Sequence, residues 1–273
     1  MDRPIPRWLR AILLLVAAQA LLLLAVFYQF TLVNLLVPWS ASPLNARFIA
    51  SLYTALGIGV LLSSFSRTFR EVRIVLFGIG LATGMLFILT LYRMFFYPGE
   101  LDRFPYIWML FYIVDPLLVA FSFWRLGAKD TAAQRTNSLA PLWIVQAVIF
   151  GSVGLVLLLF PGVGIAFWPW KMTEPLSQLY SAFFLTLAVG NAMAVRESHW
   201  EGIRWLTFIL ALLGLLVLVV SVVDFQHFKP GISTVIWFAF FGIEALVFSG
   251  LFLVGRRVRP SLKGALVLSL IHI

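Results

Sequence analysis

Eight long apolar stretches divide this chain, and they constrain its fold more than any other feature. They occupy residues 8–30, 46–65, 73–95, 105–125, 141–160, 177–195, 203–223 and 232–255. A helix needs about 20 apolar residues to cross the hydrocarbon core of a bilayer, whereas the strands of a membrane barrel are short and alternate in polarity. The sequence therefore predicts an all-α integral membrane protein with eight transmembrane helices.

The composition excludes other classes of protein. Hydrophobic residues make up 62% of the chain and charged residues only 11%, whereas soluble domains average about 45–50% and 25%. With no cysteine, disulfide scaffolds and thiolate metal sites are excluded. No histidine lies inside a span, and no phosphate-binding glycine motif occurs. We therefore expect no catalytic residue, no metal and no cofactor.

The basic residues predict the orientation of the chain. Although the net charge is +9, it forms no basic face, so we expect lipid and not nucleic acid as the partner. Fifteen basic residues lie at the N-terminus, in alternate loops and in the tail, namely Arg3, Arg7, Arg10, Arg67, Arg70, Arg73, Arg125, Lys129, Arg135, Arg196, Arg204, Arg256, Arg257, Arg259 and Lys263. The other five are Arg47, Arg93, Arg103, Lys171 and Lys229. The positive-inside rule then places both termini in the cytoplasm, in a cell (inner) membrane.

The second half of the chain echoes the first at offsets of 129–132 residues. The matched positions, in order, are Pro38-Trp39 with Pro169-Trp170, Pro43-Leu44 with Pro175-Leu176, Arg73 with Arg204, Ile107-Trp108 with Ile236-Trp237, and Asp115 with Glu244. We interpret this as two four-helix repeats, 8–125 and 141–255, joined by a cytoplasmic linker at 126–140. An even number of spans per copy predicts parallel repeats related by a pseudo-two-fold axis along the membrane normal.

Two segments follow the second repeat. Residues 256–267 form a basic tail, which we expect to be cytoplasmic. Residues 268–273 match the translation of an adapter used in sequencing libraries, so we expect them to be an artefact and exclude them from functional interpretation.

Two acidic residues lie near the middle of spans, Asp115 in the fourth and Glu244 in the eighth. A carboxylate at that depth costs about 2.5–3.5 kcal/mol on insertion scales, and neither residue has a basic neighbour at the same depth. Both should therefore rest in the neutral form and release a proton when water or a cation arrives. Pro116 adds a spare acceptor beside Asp115, because it leaves the carbonyl of Tyr112 without a helical donor.

Weaker polar candidates surround the two acids. Gln19, Gln146 and Asn191 lie inside spans, where an interhelical hydrogen bond is the commoner role and ligand binding the alternative. Arg93 and Asp224 lie at equivalent outer ends of the third and seventh spans, 131 residues apart. They are candidates for an ion pair between the repeats, and snorkelling to the interface is the alternative.

Three tryptophans lie at the outer ends of spans, namely Trp39, Trp168 and Trp170. Tryptophan is enriched at membrane interfaces, so we expect all three to be interfacial anchors. A lid role for residues 167–170 is a secondary interpretation.

Two functions stay open from the sequence. One is a proton- or cation-coupled secondary transporter of a small solute, with Asp115 and Glu244 near the repeat interface. The other is a non-transporting scaffold, sensor or partner subunit, whose carboxyls hold helices together. A transporter should turn the acids toward a polar cavity, whereas a scaffold should close their hydrogen bonds internally. The oligomeric state is not predicted.

Overall fold

The computed structural model describes residues 3–32, 41–97, 106–127 and 138–257. Within these residues lie eight long helices: α1 (Arg7–Tyr28), α2 (Pro43–Ser63), α3 (Phe69–Phe96), α4 (Tyr106–Leu126), α5 (Ala140–Leu159), α6 (Glu174–Val195), α7 (Trp200–Val223) and α8 (Ile232–Arg257). All eight are long and apolar enough to cross a membrane. The expectation of an all-helical, multi-pass membrane protein is confirmed.

The helices differ from the predicted spans mainly at their first turns. α3 begins four residues before the predicted start, because Thr68 and Glu71 form a reciprocal capping box there. α6 begins at Glu174, with Pro175 in its first turn. These first turns carry polar side chains that a search for apolar stretches leaves out.

Four helices form the centre of the bundle and four pack outside them. α2, α6 and α7 are the most buried helices, and α3 completes the central group. α1 packs on α2, α4 on α3, α5 on α6 and α8 on α7, while α2 contacts α7 and α3 contacts both α6 and α7. The first and second halves of the chain therefore meet through their second and third helices.

Small residues let the outer helices approach closely. A Cβ added to Gly80 in α3 would lie 2.8 Å from Val119 of α4, and one added to Gly214 in α7 would lie 2.8 Å from the backbone nitrogen of Ala245 in α8. These two glycines therefore sit where the outer helices α4 and α8 pack closely on their inner neighbours.

The bundle has two polar ends. At the N-terminal face, the backbone N–H of Ile5 donates to the carbonyl of Arg67 over 3.0 Å. At the opposite face, Trp170 and Phe228 form an isolated β-bridge, and the N–H of Lys229 donates to the carbonyl of Pro169 over 2.7 Å. Just before that bridge, a short helix at Pro161–Phe167 packs against α5 and α6.

Several predicted features lie outside the described residues: Trp39, most of the linker at 126–140, the tail after residue 257, and residues 268–273. The predictions for them stay as predictions.

Candidate functional site

Asp115 borders a cavity between α1, α2, α3 and α4. Its side chain is buried, and its Oδ1 atom has no hydrogen-bond partner among the described residues. The cavity has a volume of about 60 Å³, which is room for roughly two to four water molecules. Its wall is largely apolar but includes the polar side chains of Gln19, Tyr53, Thr83 and Tyr112.

A pair of tyrosine hydroxyls lies on the same wall. The hydroxyl oxygens of Tyr53 in α2 and Tyr112 in α4 are 3.1 Å apart, and both side chains are buried. Tyr112 precedes Asp115 by three residues, so the two project from neighbouring positions on one helix face. The cavity wall thus holds a carboxyl group and a hydrogen-bonded hydroxyl pair.

Glu244 has a different environment from Asp115. The Nε2 atom of Gln146 in α5 donates to Oε2 of Glu244 in α8 over 3.1 Å, and both side chains are buried. This bond ties two outer helices of the second half together. The environments of the two acids therefore differ: Asp115 faces a largely apolar cavity with a few polar side chains in its wall, and Glu244 accepts a hydrogen bond from a protein partner.

The cavity lies inside the first half of the chain. Its wall comes from α1, α2, α3 and α4, and Phe183 of α6 is the one described residue of the second half that reaches it. Asp115 reaches this cavity from α4, which packs on α3 and also contacts α1. Phe183 shares the cavity wall, so the expected position of Asp115 near the interface between the halves stays a prediction.

The remaining intramembrane amides take two further environments. Gln19 lines the cavity. Asn191 donates from Nδ2 to the carbonyl of Leu187, 2.8 Å away in its own helix. Its Oδ1 is buried and has no hydrogen-bond partner among the described residues. The hydrogen bond seen for Asn191 therefore lies within its own helix, and the expected interhelical bond is not seen among those residues.

The expected ion pair between Arg93 and Asp224 does not form. Arg47 at the start of α2 takes Asp224 instead, with Nη1 2.5 Å from Oδ1. Arg93 donates from Nε to Oε1 of Gln178 in α6 over 2.8 Å. Both contacts cross between the halves, but each joins the end of a third helix to the start of the other half's second helix. Sequence offsets matched Arg93 with Asp224, but they carry no information about how the two halves pack against each other.

Trp168 and Trp170 are not interfacial anchors. Their side chains are 5% and 1% exposed, and their ring centroids lie 5.2 Å apart within an aromatic cluster that also holds Phe48, Tyr180 and Trp237. The chain after the short helix at Pro161–Phe167 turns these rings inward. The two tryptophans therefore follow the end of a helix, as predicted, but their rings pack inside the protein and do not face the membrane interface.

Asn45, which the sequence analysis missed, holds this aromatic cluster in place. Its Oδ1 accepts hydrogen bonds from Nε1 of Trp170 and the hydroxyl of Tyr180, each over 2.7 Å. Its Nδ2 donates to Ser42 Oγ over 2.7 Å and to the carbonyl of Lys171 over 3.0 Å. The available signal was an amide directly after the repeated Pro43-Leu44 pair.

Ionic contacts also cross between the halves at the N-terminal face. Arg204 at the start of α7 pairs with Glu71 of α3 and donates to Ser66 Oγ. Arg73 in α3 donates from Nη2 to Oε2 of Glu197, 3.1 Å away, in the loop between α6 and α7. Arg73 and Arg204, which the sequence offset matched, therefore each contact a glutamate of the other half across the same interface.

No protein-family model, curated protein or solved structure matches the chain. No group of three or more potential metal-binding side chains occurs in the part of the chain that the structure describes. The chemistry of the site rests on its own geometry.

Proposed function

We propose that this protein is a proton- or cation-coupled secondary transporter of a small solute, in which Asp115 binds the coupling ion. One observation carries the proposal: a buried carboxyl oxygen without a described partner borders a cavity that can hold water. An unpaired intramembrane carboxyl is costly to retain for structure alone. A proton is the coupling ion that fits best, because the cavity offers few oxygen ligands for a metal cation.

In this proposal the proton moves between Asp115 and water in the cavity. The titratable side chains on the cavity wall are Asp115, Tyr53 and Tyr112. The bonded hydroxyls of Tyr53 and Tyr112 can donate to the carboxylate after the proton leaves, because a hydroxyl rotates to suit its partner. Protonated Asp115 needs no such donor. The two protonation states therefore favour different hydrogen-bond arrangements between α2 and α4.

We also propose that the chain is a duplication of four helices with a pseudo-two-fold axis. If each helix of the first half is replaced by its counterpart in the second half, and the reverse, the main packing pairs stay the same. For example, the contact of α2 with α7 becomes the contact of α6 with α3, which is also present. Phe48 and Tyr180 are 132 residues apart, the offset of the Pro-Leu pairs, and their ring centroids lie 4.9 Å apart. Equivalent residues can touch only near the axis, which this pair would then mark.

The polar contacts at the two faces would act as alternating gates. At the N-terminal face these are Arg73 with Glu197 and Arg204 with Glu71. At the opposite face they are Arg47 with Asp224 and Arg93 with Gln178. Rocking one half against the other would open one set at a time, as in transporters built from repeats. With the charge distribution, we propose an inner-membrane location with the N-terminal face in the cytoplasm.

Reconstituted protein tests the transport proposal. Proteoliposomes containing a pH-sensitive dye would be given panels of amino acids, sugars, organic acids and inorganic ions. A transported solute should change the internal pH with the wild type, and Asp115→Asn should abolish that change. The conservative Glu244→Gln should retain it. Equal responses from wild type and Asp115→Asn would contradict the assignment of Asp115.

The alternative function is a non-transporting membrane scaffold or partner subunit. The hydrogen bond between Gln146 and Glu244 favours it, because it is the closed contact expected of an acid that only joins helices. Under this alternative, no panel solute would move and both acid variants would change stability alone.

A further inference from the structure

A second cavity opens between α5 and α8, and its lining is almost entirely apolar. It has a volume of about 440 Å³, which is within the range of small-molecule sites. We call it the α5–α8 groove. The lining residues that matter below are Ser152, Phe167, Trp168, Pro169, Ile232, Ser233 and Ile236. No charged side chain lines the groove in the part of the chain that the structure describes.

Apart from Ser152 in α5, the polar groups described at the α5–α8 groove belong to Trp168 and to the start of α8. Trp168 is 5% exposed, and its indole Nε1 has no hydrogen-bond partner among the described residues. Ser233 lies in the first turn of α8, where backbone N–H groups lack helical acceptors. These donors lie at one end of an otherwise apolar space.

Lys229 adds a positive charge at the same end. Its backbone N–H donates to Pro169 of the groove wall over 2.7 Å, and its Nζ donates to the carbonyl of Ile165 over 3.2 Å. An ammonium has three donors, so this contact leaves two for another acceptor. Lys171, which is exposed, follows the tryptophan pair closely in sequence.

We propose that the α5–α8 groove binds one anionic phospholipid, with an acyl chain along its apolar wall and the phosphate at Lys229. The order of the groups matches the order of the ligand, since an apolar chain is followed by an ester and then by a charged phosphate. The first-turn N–H groups of α8 and the Ser233 hydroxyl face the ester and phosphate oxygens, which accept hydrogen bonds. A lipid acyl chain is the occupant that the surroundings supply, because the groove wall includes Ile232, Ile236 and Phe167, which are exposed on the surface of the bundle.

This inference does not depend on transport. It rests on the second half of the chain, whereas the transport proposal rests on Asp115 in the first.

Native mass spectrometry tests the groove directly. The protein would be reconstituted in phosphatidylcholine nanodiscs that contain a minor fraction of phosphatidylglycerol, and the lipids that remain bound would be weighed. The wild type should retain phosphatidylglycerol above its bulk fraction. Ile236→Trp fills the groove and should lose the retained lipid. Ile243→Trp is the matched control, since Ile243 has a similar exposure on the same helix, 60% against 59%, but does not line the groove.

A second variant tests the headgroup contact without changing the groove. Lys229→Gln should keep a bound lipid but lower the preference for phosphatidylglycerol over phosphatidylcholine roughly fivefold, the effect of one basic residue near an anionic surface. Unchanged preference in Lys229→Gln would overturn the phosphate assignment. Equal lipid retention by wild type, Ile236→Trp and Ile243→Trp would overturn the binding site itself.

Discussion

Arg47 at the start of α2 donates to Asp224 at the end of α7, with Nη1 2.5 Å from Oδ1. The Asp224 side chain is 3% exposed, and the Arg47 side chain is 22% exposed. An ion pair this sheltered from water is screened less by salt than a surface pair. It joins the two halves of the chain at the place where the second helix of one meets the third helix of the other.

Breaking this pair should destabilise the protein in a non-additive way. Arg47→Gln and Asp224→Asn each leave a charge without its partner, whereas the double variant removes both charges. A double-mutant cycle on the melting of the purified protein should give a coupling free energy of about 0.5–3 kcal/mol. Additive losses would show that the contact contributes nothing to holding the halves together. Lys171→Gln, an exposed basic residue at the same face, is the control and should be nearly neutral.

Glu71 should contribute two separable interactions at the N-terminal face. It accepts from the backbone N–H of Thr68 over 3.0 Å, as part of the α3 cap, and it pairs with Arg204. Glu71→Gln keeps an acceptor for the cap and loses the ion pair, whereas Thr68→Ala loses the capping hydroxyl and keeps the ion pair. Each should lower the free energy of unfolding, the cap by about 0.5–2 kcal/mol, and Glu71→Ala should cost more than either. A Glu71→Ala loss no larger than that of Thr68→Ala would contradict a role for the ion pair.

Asn45 should be sensitive to any change that removes its carbonyl oxygen. Asn45→Leu leaves the Trp170 N–H and the Tyr180 hydroxyl unpaired, and each buried unpaired group costs about 1–3 kcal/mol. Tyr180→Phe removes one donor together with its need for a partner, so its loss should be smaller. Thermal melting followed by tryptophan fluorescence measures both variants. The prediction is wrong if the two variants melt together.

Reporter fusions test the proposed orientation. Fusions after Lys129 and Glu201 should read cytoplasmic, and fusions after Glu100, Lys171 and Lys229 should read external, because basic residues concentrate on the first group of loops. Any two reversals would contradict the eight-span orientation.

The sequence predicted the membrane class and the eight helices well, because apolar stretches of the length needed to cross a bilayer have few other uses. Helix starts such as Phe69 were missed by a few residues, since capping groups are polar. The partners of Arg93, Asp224 and Trp170 were not predictable. They depend on how two halves rotate against each other, which no spacing along one chain records.

The environments of the two acids were also not predictable from the sequence. Sequence position made Asp115 and Glu244 equivalent, but only packing decides that Gln146 closes one while the other borders a cavity. The difference between them is the basis for assigning Asp115 the coupling role.

Infrared difference spectroscopy of the protein in nanodiscs tests that role most directly. Spectra recorded at high and low pH isolate the C=O stretch of carboxyl groups that gain a proton. The wild type should show a band from a buried carboxyl, and this band should disappear in Asp115→Asn but persist in Glu244→Gln. If Asp115→Asn retains the same band with the same pH dependence, Asp115 does not exchange a proton with the cavity and the transport proposal loses its basis.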